Sequence, residues 1–254
     1  MTHRQARPGR LPSATSVLAV CAHPDDETFG LGAVLGRLRA DGARVSLLCL
    51  THGEASTLGA NGELAGGDLA AVRAAELRAA ATVLGAEGVD LLDHPDGGLA
   101  AVPLEVLAGE VAAAARSARA DLVVVFDEGG VTGHPDHGRA TQAALTGAPD
   151  LPVLAWTIPR RIAQALNDEL GTSFVGRDEA EVDLVVAVDR ERQRQAIACH
   201  ATQSTDNPVL NRRLDLLGDE EWLHWLRPPG ASRQPEVTRS RAPRRRSPRS
   251  EGQS

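Results

Sequence analysis

The sequence predicts an α/β protein, a single Rossmann-like domain in which a mostly parallel sheet lies between two layers of helices. Two observations predict this class. Short apolar runs alternate with helix-periodic segments along most of the chain, and such alternation forms a parallel sheet because each crossover between parallel strands needs a helix. The length of 254 residues is that of one domain of ordinary size, with or without tails.

The elements are expected in strict alternation. The first strand is the apolar run at residues 16–22, and the first helix follows at 28–40, where apolar residues recur at helical spacing. Further strands are expected at 44–51, 89–92, 121–126, 153–158 and 182–188, and further helices at 68–85, 103–119, 136–147, 160–169 and 190–203. One or two more helices are expected at 207–226, where Trp222 and Trp225 would pack on an apolar stripe rather than stack on a ligand.

Two arginine-rich ends flank the predicted domain at residues 13–230. Residues 1–12 hold three arginines before an apolar run that is too short for a signal peptide, so we expect a flexible tail. Residues 231–254 are rich in Arg, Pro and Ser and have almost no large apolar side chains, which predicts a disordered tail. The body is therefore more acidic than the whole chain, whose net charge is −7, and this argues against nucleic acid as its substrate.

Composition also bears on the compartment. The three cysteines are an odd number, and Cys21 and Cys49 lie inside apolar strands, which favours free thiols in a reducing environment. No apolar run approaches the roughly 20 residues that a membrane span needs. We therefore expect a cytoplasmic protein without a membrane partner, and the sequence leaves open whether its copies associate.

Four ionisable side chains follow the first strand, in the segment Ala-His-Pro-Asp-Asp-Glu at residues 22–27. Burying adjacent carboxylates is costly unless a cation or hydrogen bonds compensate, and a divalent metal would do so. His23 and Asp26 are three residues apart, so one tight turn can aim both at a metal such as zinc. Asp25 is then placed to take a proton from a water that the metal activates. The alternative is that the acids cap a helix N-terminus.

A second polar turn, Gly-His-Pro-Asp-His at residues 133–137, follows the predicted strand at 121–126 across a loop with Gly129 and Gly130. The two turns can meet if both strands end at the same edge of a parallel sheet. Together they offer two histidines and a carboxylate, with one coordination position open for water. The alternative is that His134 and His137 are ordinary loop and helix-start residues.

These two segments resemble the LmbE-like family of zinc-dependent N-deacetylases, also called the PIG-L family. Leu-Thr-His-Gly-Glu at 50–54, Arg-Ala-Ala-Glu at 73–76 and Pro-Asp-Gly at 95–97 agree with it, and the resemblance extends from about residue 17 to 203. It implies a Rossmann-like fold and a hydrolase that removes the acyl group from an amino sugar, with N-acetylglucosamine conjugates as the recurrent substrates.

The resemblance also implies roles for single residues. One zinc ion, or another divalent transition metal, would be held by His23, Asp26 and His137, with Asp25 as the general base. His134 would face the substrate carbonyl, where as imidazolium it would stabilise the oxyanion or protonate the departing amine. Asp136 would orient a histidine by accepting its other ring N–H. The expected contacts to sugar hydroxyls come from Arg73 and Asp96.

Several assignments have alternatives. Arg73 can instead form a structural ion pair with Glu76 or Glu54, and Glu27 can either cap the helix or bond a metal ligand. We interpret the His-Ala-Thr-Gln segment at 200–203 as structural, and His52 and His94 as surface histidines or as neighbours of the ligands. Several sugar deacetylases of the family place an oxyanion-binding Tyr where this chain has Thr132, and the chain contains no Tyr.

Three other functions compete with the deacetylase hypothesis. Gly30, Gly32 and Gly36 at the start of the first helix suggest a nucleotide-binding oxidoreductase, but the dinucleotide fingerprint should follow its strand directly. An amidase acting on a sugar-thiol conjugate would use the same polar turns. A protein that binds metal without catalysis would hold zinc and turn over no amide.

Overall fold

A mixed sheet of seven strands forms the middle layer of the computed structural model, which describes residues 9–56 and 67–230. The strands are β1 Ser16–Cys21, β2 Arg44–Thr51, β3 Gly88–His94, β4 Leu122–Phe126, β5 Val153–Thr157, β6 Leu184–Ala187 and β7 Glu220–Arg227. Their order in the sheet is β3-β2-β1-β4-β5-β7-β6. The first five are parallel, and β7 runs antiparallel to both of its neighbours. The predicted Rossmann-like fold class is confirmed.

Helices cover both faces of this sheet. They are α1 Asp26–Phe29, α2 Gly32–Ala40, α3 Gly67–Leu84, α4 Leu104–Ala118, α5 Pro135–Gly147, α6 Arg160–Leu170, α7 Glu191–Ile197, α8 Ala201–Ser204 and α9 Pro208–Leu217. Successive residues of β1 alternate between two apolar clusters: Val17 and Ala19 face the layer that includes α2, whereas Leu18 and Val20 face α4 and α5. Both faces of the strand are therefore buried, which explains its continuous apolar run.

The strand order places the two polar turns side by side. β1 lies between β2 and β4, so the order of the sheet reverses next to β1, and the first turn follows β1 while the second follows β4. In open α/β sheets the crevice at such a reversal, beyond the carboxyl ends of the strands, is where ligands bind. The predicted meeting of the two turns at one sheet edge therefore has a topological cause.

The structure corrects one part of the predicted element order. The expected helix after residue 207 is present as α9, but it ends before Gly218, which has a φ of 56°, and the second half is the strand β7. Trp222 is buried in the core and pairs in register with Thr157 of β5, while Trp225 packs partly against the same core. The apolar residues of this segment therefore fill a gap between β5 and β6.

Two predicted helices are also interrupted. The one at 28–40 breaks into α1 and α2 at Gly30, where an added Cβ would stand 2.5 Å from the Phe126 ring. Gly32 likewise lies against Gln193, so these glycines serve close packing, which removes the basis for a phosphate-binding loop. The helix at 190–203 divides into α7 and α8 around His200.

The ends of the chain add little to the described structure. Gly9 donates its backbone N–H to the Val185 carbonyl at 2.7 Å, and Leu11 is buried, so packing begins before residue 13. The predicted tail at 231–254 lies outside the described residues, as do residues 1–8. All three cysteines are free thiols. Within the described ranges, no helix combines the length and apolarity needed to cross a membrane.

Candidate metal centre and active site

The first polar turn is folded by its own carboxylate. Asp26 accepts hydrogen bonds through Oδ2 from the backbone N–H groups of Ala22 and His23, both at 3.0 Å, and so closes the turn after β1. Asp25 has a φ of 119°, a region that a residue with a Cβ rarely occupies. Strained backbone of this kind persists only where neighbouring contacts hold it, and it concentrates at functional sites.

The second polar turn depends on glycine. Gly130 and Gly133 have φ values of 72° and 85°, which glycine adopts without steric cost. His134 is the N-cap of α5 and Pro135 follows inside the first turn, where its missing N–H costs nothing. His137 therefore lies one turn into α5, buried and facing back toward β1.

The structure brings the three predicted metal ligands together. His137 Nε2 lies 3.1 Å from His23 Nδ1 and 3.1 Å from Asp26 Oδ1. His23 Nδ1 is 3.8 Å from Asp26 Oδ2. The three residues are all more than nine-tenths buried.

The position of the ring proton in His23 and His137 determines which nitrogen of each ring can bind a metal. His137 Nδ1 lies 3.0 Å from the Gly130 carbonyl, which can only accept, so Nδ1 carries the proton and Nε2 presents a lone pair. His23 Nε2 lies 3.0 Å from Asp96 Oδ1 and 3.6 Å from Asp136 Oδ2, which likewise assigns its proton to Nε2, although neither contact is a linear hydrogen bond. In the neutral tautomers, which a bound cation would favour, the lone pairs of both histidines and the Asp26 carboxylate face one another.

This arrangement requires a positive charge at its centre. Burial disfavours a charged imidazole, but the Asp136 and Asp96 carboxylates outweigh it and raise the pKa of His23 to about 10. A divalent cation meets the same need, since two imidazole nitrogens and a carboxylate are a ligand set of catalytic zinc sites. The residues present therefore fit the metal that the sequence predicts.

His134 lies beside this centre. Its ring meets that of His23 edge to face, with 4.6 Å between centroids. Its Nδ1 accepts the backbone N–H of Asp136 at 3.3 Å, so the proton of the neutral ring is on Nε2. Burial, then the charges of His23 and His137, lower the pKa of His134, which favours the neutral ring over the imidazolium that the resemblance implies. It is thus a hydrogen-bond donor toward a ligand at the centre.

Asp96 and Asp136 both face His23. Asp136 also accepts the backbone N–H groups of Gly97 at 2.8 Å and Leu99 at 3.2 Å. The second oxygen of Asp96 accepts the Ala55 N–H at 2.9 Å. Burial opposes ionisation of Asp96, but His23 outweighs it and lowers the pKa of Asp96 to about 2. The geometry suits the histidine-orienting role predicted for Asp136 and extends it to Asp96.

Arg73 is buried and points at the predicted base. Its guanidinium donates to the backbone carbonyls of Pro24 and Gly53 and, at 2.8 Å, to Asp25 Oδ2. Glu54 and Glu76 were the alternative partners expected for Arg73, and neither bonds it. Glu54 accepts the Asp96 N–H, and Glu76 accepts from Thr202. Burial raises the pKa of Asp25 to about 6, with the Arg73 charge as the main opposing influence.

Sequence reasoning also missed the partner of Glu27. Glu27, which the sequence left between two roles, accepts from His200 Nε2 at 2.5 Å and from the Asp25 backbone N–H at 2.9 Å. The His-Ala-Thr-Gln segment was the available signal, but spacing alone cannot reveal a partner 173 positions away. His52 and His94 pair with Asp93 and Glu110 instead, outside the centre.

Proteins of known activity resemble this chain in sequence. A family model described as "PIG-L: GlcNAc-PI de-N-acetylase" matches residues 18–148. A 1D-myo-inositol 2-acetamido-2-deoxy-alpha-D-glucopyranoside deacetylase of Geodermatophilus obscurus is 31% identical over 266 residues, covering 80% of this chain and 90% of that protein.

Solved structures share the fold at lower identity. An N,N'-diacetylchitobiose deacetylase of Pyrococcus horikoshii has a TM-score of 0.62 at 22% identity, covering 84% of each chain. A 4-carboxy-2-hydroxymuconate hydratase of Pseudomonas putida KT2440 has a TM-score of 0.66 at 19% identity, covering 90% of this chain and all of that one. The fold therefore supports more than one chemistry, and function must be argued from the site.

Proposed function

The chain belongs to the PIG-L family of GlcNAc-PI de-N-acetylases and is a hydrolase of amide bonds, and from this premise we propose that it deacetylates a small N-acetylglucosamine conjugate at a zinc centre. The observation that carries the proposal is that His23 Nδ1 and Asp26 Oδ1 each lie 3.1 Å from His137 Nε2, at the switch point of the sheet. We infer that these three residues hold the metal. When bound, the cation would act as a Lewis acid that polarises the amide carbonyl and lowers the pKa of a water.

Asp25 is the base in this proposal. Its carboxylate lies within the ligand turn, and burial raises its pKa to about 6, so it is ionised at neutral pH and basic enough to accept a proton from the attacking water, which it then passes to the departing amine. The contacts of Arg73 favour a role in holding this carboxylate over a direct bond to the sugar.

His134 is the donor in this proposal. The neutral ring carries its proton on Nε2, which can hydrogen-bond the oxygen that becomes negative as the amide is attacked. The Thr132 hydroxyl contacts one of the proposed metal ligands instead, with Oγ1 2.9 Å from His137 Nδ1. We therefore assign oxyanion stabilisation to His134, without a tyrosine hydroxyl; a bound cation would supply further positive charge there.

The substrate class follows from the curated relative, whose name specifies an N-acetylglucosamine joined to inositol. We propose a substrate of that kind: a small, hydroxyl-rich conjugate with one acetylated amine. Asp96 is a candidate for the sugar contact, although His23 and Ala55 already engage both of its oxygens. The free thiols support the proposal of a cytoplasmic location.

Acetate release tests this proposal. The purified protein is incubated with N-acetylglucosaminyl-inositol and with diacetylchitobiose, as isolated, after chelation, and after zinc is restored. We expect release that chelation abolishes and zinc restores. Asp25→Asn should lower kcat by about 10²–10⁴-fold, as loss of a general base does. Asp93→Asn, whose side chain is 95% exposed, is the matched control. Failure of the zinc-loaded protein to release acetate from either substrate would overturn the proposal.

A further inference from the structure

A buried acid and histidine outside the metal centre form the feature from which this inference starts. Glu27 and His200 are both fully buried, and His200 Nε2 lies 2.5 Å from Glu27 Oε1. Burial disfavours a charged His200, but the Glu27 carboxylate outweighs it and raises the pKa of the histidine. The other ring nitrogen faces Glu76 at 4.0 Å. The pair is thus a buried ion pair inside the fold, and neither residue has a role in the proposed mechanism.

The second oxygen of Glu27 connects this pair to the proposed base. Glu27 Oε2 accepts the backbone N–H of Asp25 at 2.9 Å. The Asp25 carbonyl accepts from Thr28 N at 2.9 Å and from Phe29 N at 2.7 Å. With Arg73 on the carboxylate, Asp25 is held at its N–H, its carbonyl and its side chain. These contacts maintain the φ of 119°, which would otherwise relax.

Neighbours of His200 in the C-terminal part of the domain hold its segment in place. Thr202 donates through its backbone N–H and its hydroxyl to Glu76 of α3, at 2.9 and 2.6 Å. Gln193 of α7 donates to the Thr28 carbonyl at 2.9 Å. Both anchors, like His200 itself, lie beyond residue 148, where the family match ends. Elements outside the matched region therefore brace the turn that carries the base.

We propose that Glu27 and His200 are positioning residues that hold Asp25 in its strained conformation and so aim its carboxylate at the reacting water. The inference rests on the proposed function for its kinetic consequence only. A misplacement of about 1 Å at a reacting group can lower the rate by about 100-fold. His200 locks the Glu27 carboxylate, and Glu27 locks the Asp25 backbone.

Two variants of Glu27 test this. Glu27→Ala removes the acceptor for the Asp25 N–H, and Glu27→Gln keeps an oxygen at that position. We expect Glu27→Ala to lower kcat by about 100-fold with KM and zinc content unchanged, and Glu27→Gln to recover most of the loss. His94→Ala breaks a partly buried histidine-carboxylate pair outside the centre, with 2.7 Å to Glu110, and should leave kcat unchanged. If Glu27→Ala does not fold, His200→Ala replaces it as the disrupting variant.

Amide hydrogen exchange at Asp25 supplies a readout that needs no substrate. The Asp25 N–H should exchange slowly in the wild type and in Glu27→Gln, and at least about 10-fold faster in Glu27→Ala, because its acceptor is lost. Unchanged kcat and exchange in Glu27→Ala would overturn the inference. So would a kcat loss that only tracks lost zinc, or a Glu27→Gln variant as impaired as Glu27→Ala. If the wild type releases no acetate, the proposed function fails, and the exchange measurement alone decides whether Glu27 holds the turn.

Discussion

Replacement of Arg73 by methionine separates two roles for this residue. A side chain that only binds sugar hydroxyls can be lost with a raised KM and little change in stability. In the structure, however, Arg73 is 2% exposed and donates to two backbone carbonyls and to the Asp25 carboxylate. Methionine keeps much of the apolar volume but leaves these three acceptors without their donor.

The magnitude follows from the burial of the ion pair. Removing one partner of a buried pair costs about 3–5 kcal/mol, since the remaining charge stays desolvated. In a domain of this size each kcal/mol lowers Tm by roughly 2–4 °C, so Arg73→Met should lose about 6–20 °C. We also expect kcat to fall with KM nearly unchanged, because Asp25 loses its partner.

Thermal unfolding and steady-state acetate release measure the two effects on the same zinc-loaded preparation. Arg78→Met is the matched control: Arg78 lies on the same helix, is exposed, and among the described residues donates only to the Ala74 carbonyl of its own helix, at 3.3 Å. Its Tm should stay within about 2 °C of the wild type. An Arg73→Met protein with a wild-type Tm and a raised KM alone would refute this reasoning and return Arg73 to the sugar pocket.

Three further predictions concern the same region. Asp136→Asn should weaken zinc binding by about 10–100-fold in a competition assay with a chelator, because His23 loses the negative charge 3.6 Å from its Nε2; equal affinity would contradict this. Gly133→Ala should lower Tm more than Gly171→Ala, since both have positive φ but only the Gly133 Cβ would meet a backbone oxygen, at 2.6 Å; equal losses would show that strain alone matters. The pKa of His200 is raised in the folded protein. The charged histidine therefore contributes its full stabilisation below the unfolded-state pKa of about 6.5, and this contribution is lost as the pH rises through the folded-state pKa. The Tm difference between wild type and His200→Gln should therefore shrink as pH rises above about 6.5, and a constant difference would contradict this.

The strand ends were predictable because local sequence encodes them. The apolar run of β1 and the polar residues after it define the turn with His23 and Asp26, and the Gly-rich loop before His134 defines the second turn. By contrast, β7 was predicted as a helix. Its sequence, Glu-Glu-Trp-Leu-His-Trp-Leu-Arg, does not alternate polar and apolar residues, so the local pattern does not indicate a strand; the pairing with β5 and β6 selects one.

The sequence by itself determined which residue types stand at the ends of which elements, since periodicity and turn chemistry are local properties of the chain. Only the tertiary structure decided which of these residues meet. The sheet order places β1 beside β4, and the packing of the elements pairs Arg73 with Asp25 and His200 with Glu27. Such pairs join residues 48 and 173 positions apart, and at those separations the three-dimensional path of the chain, not spacing along it, sets the distance.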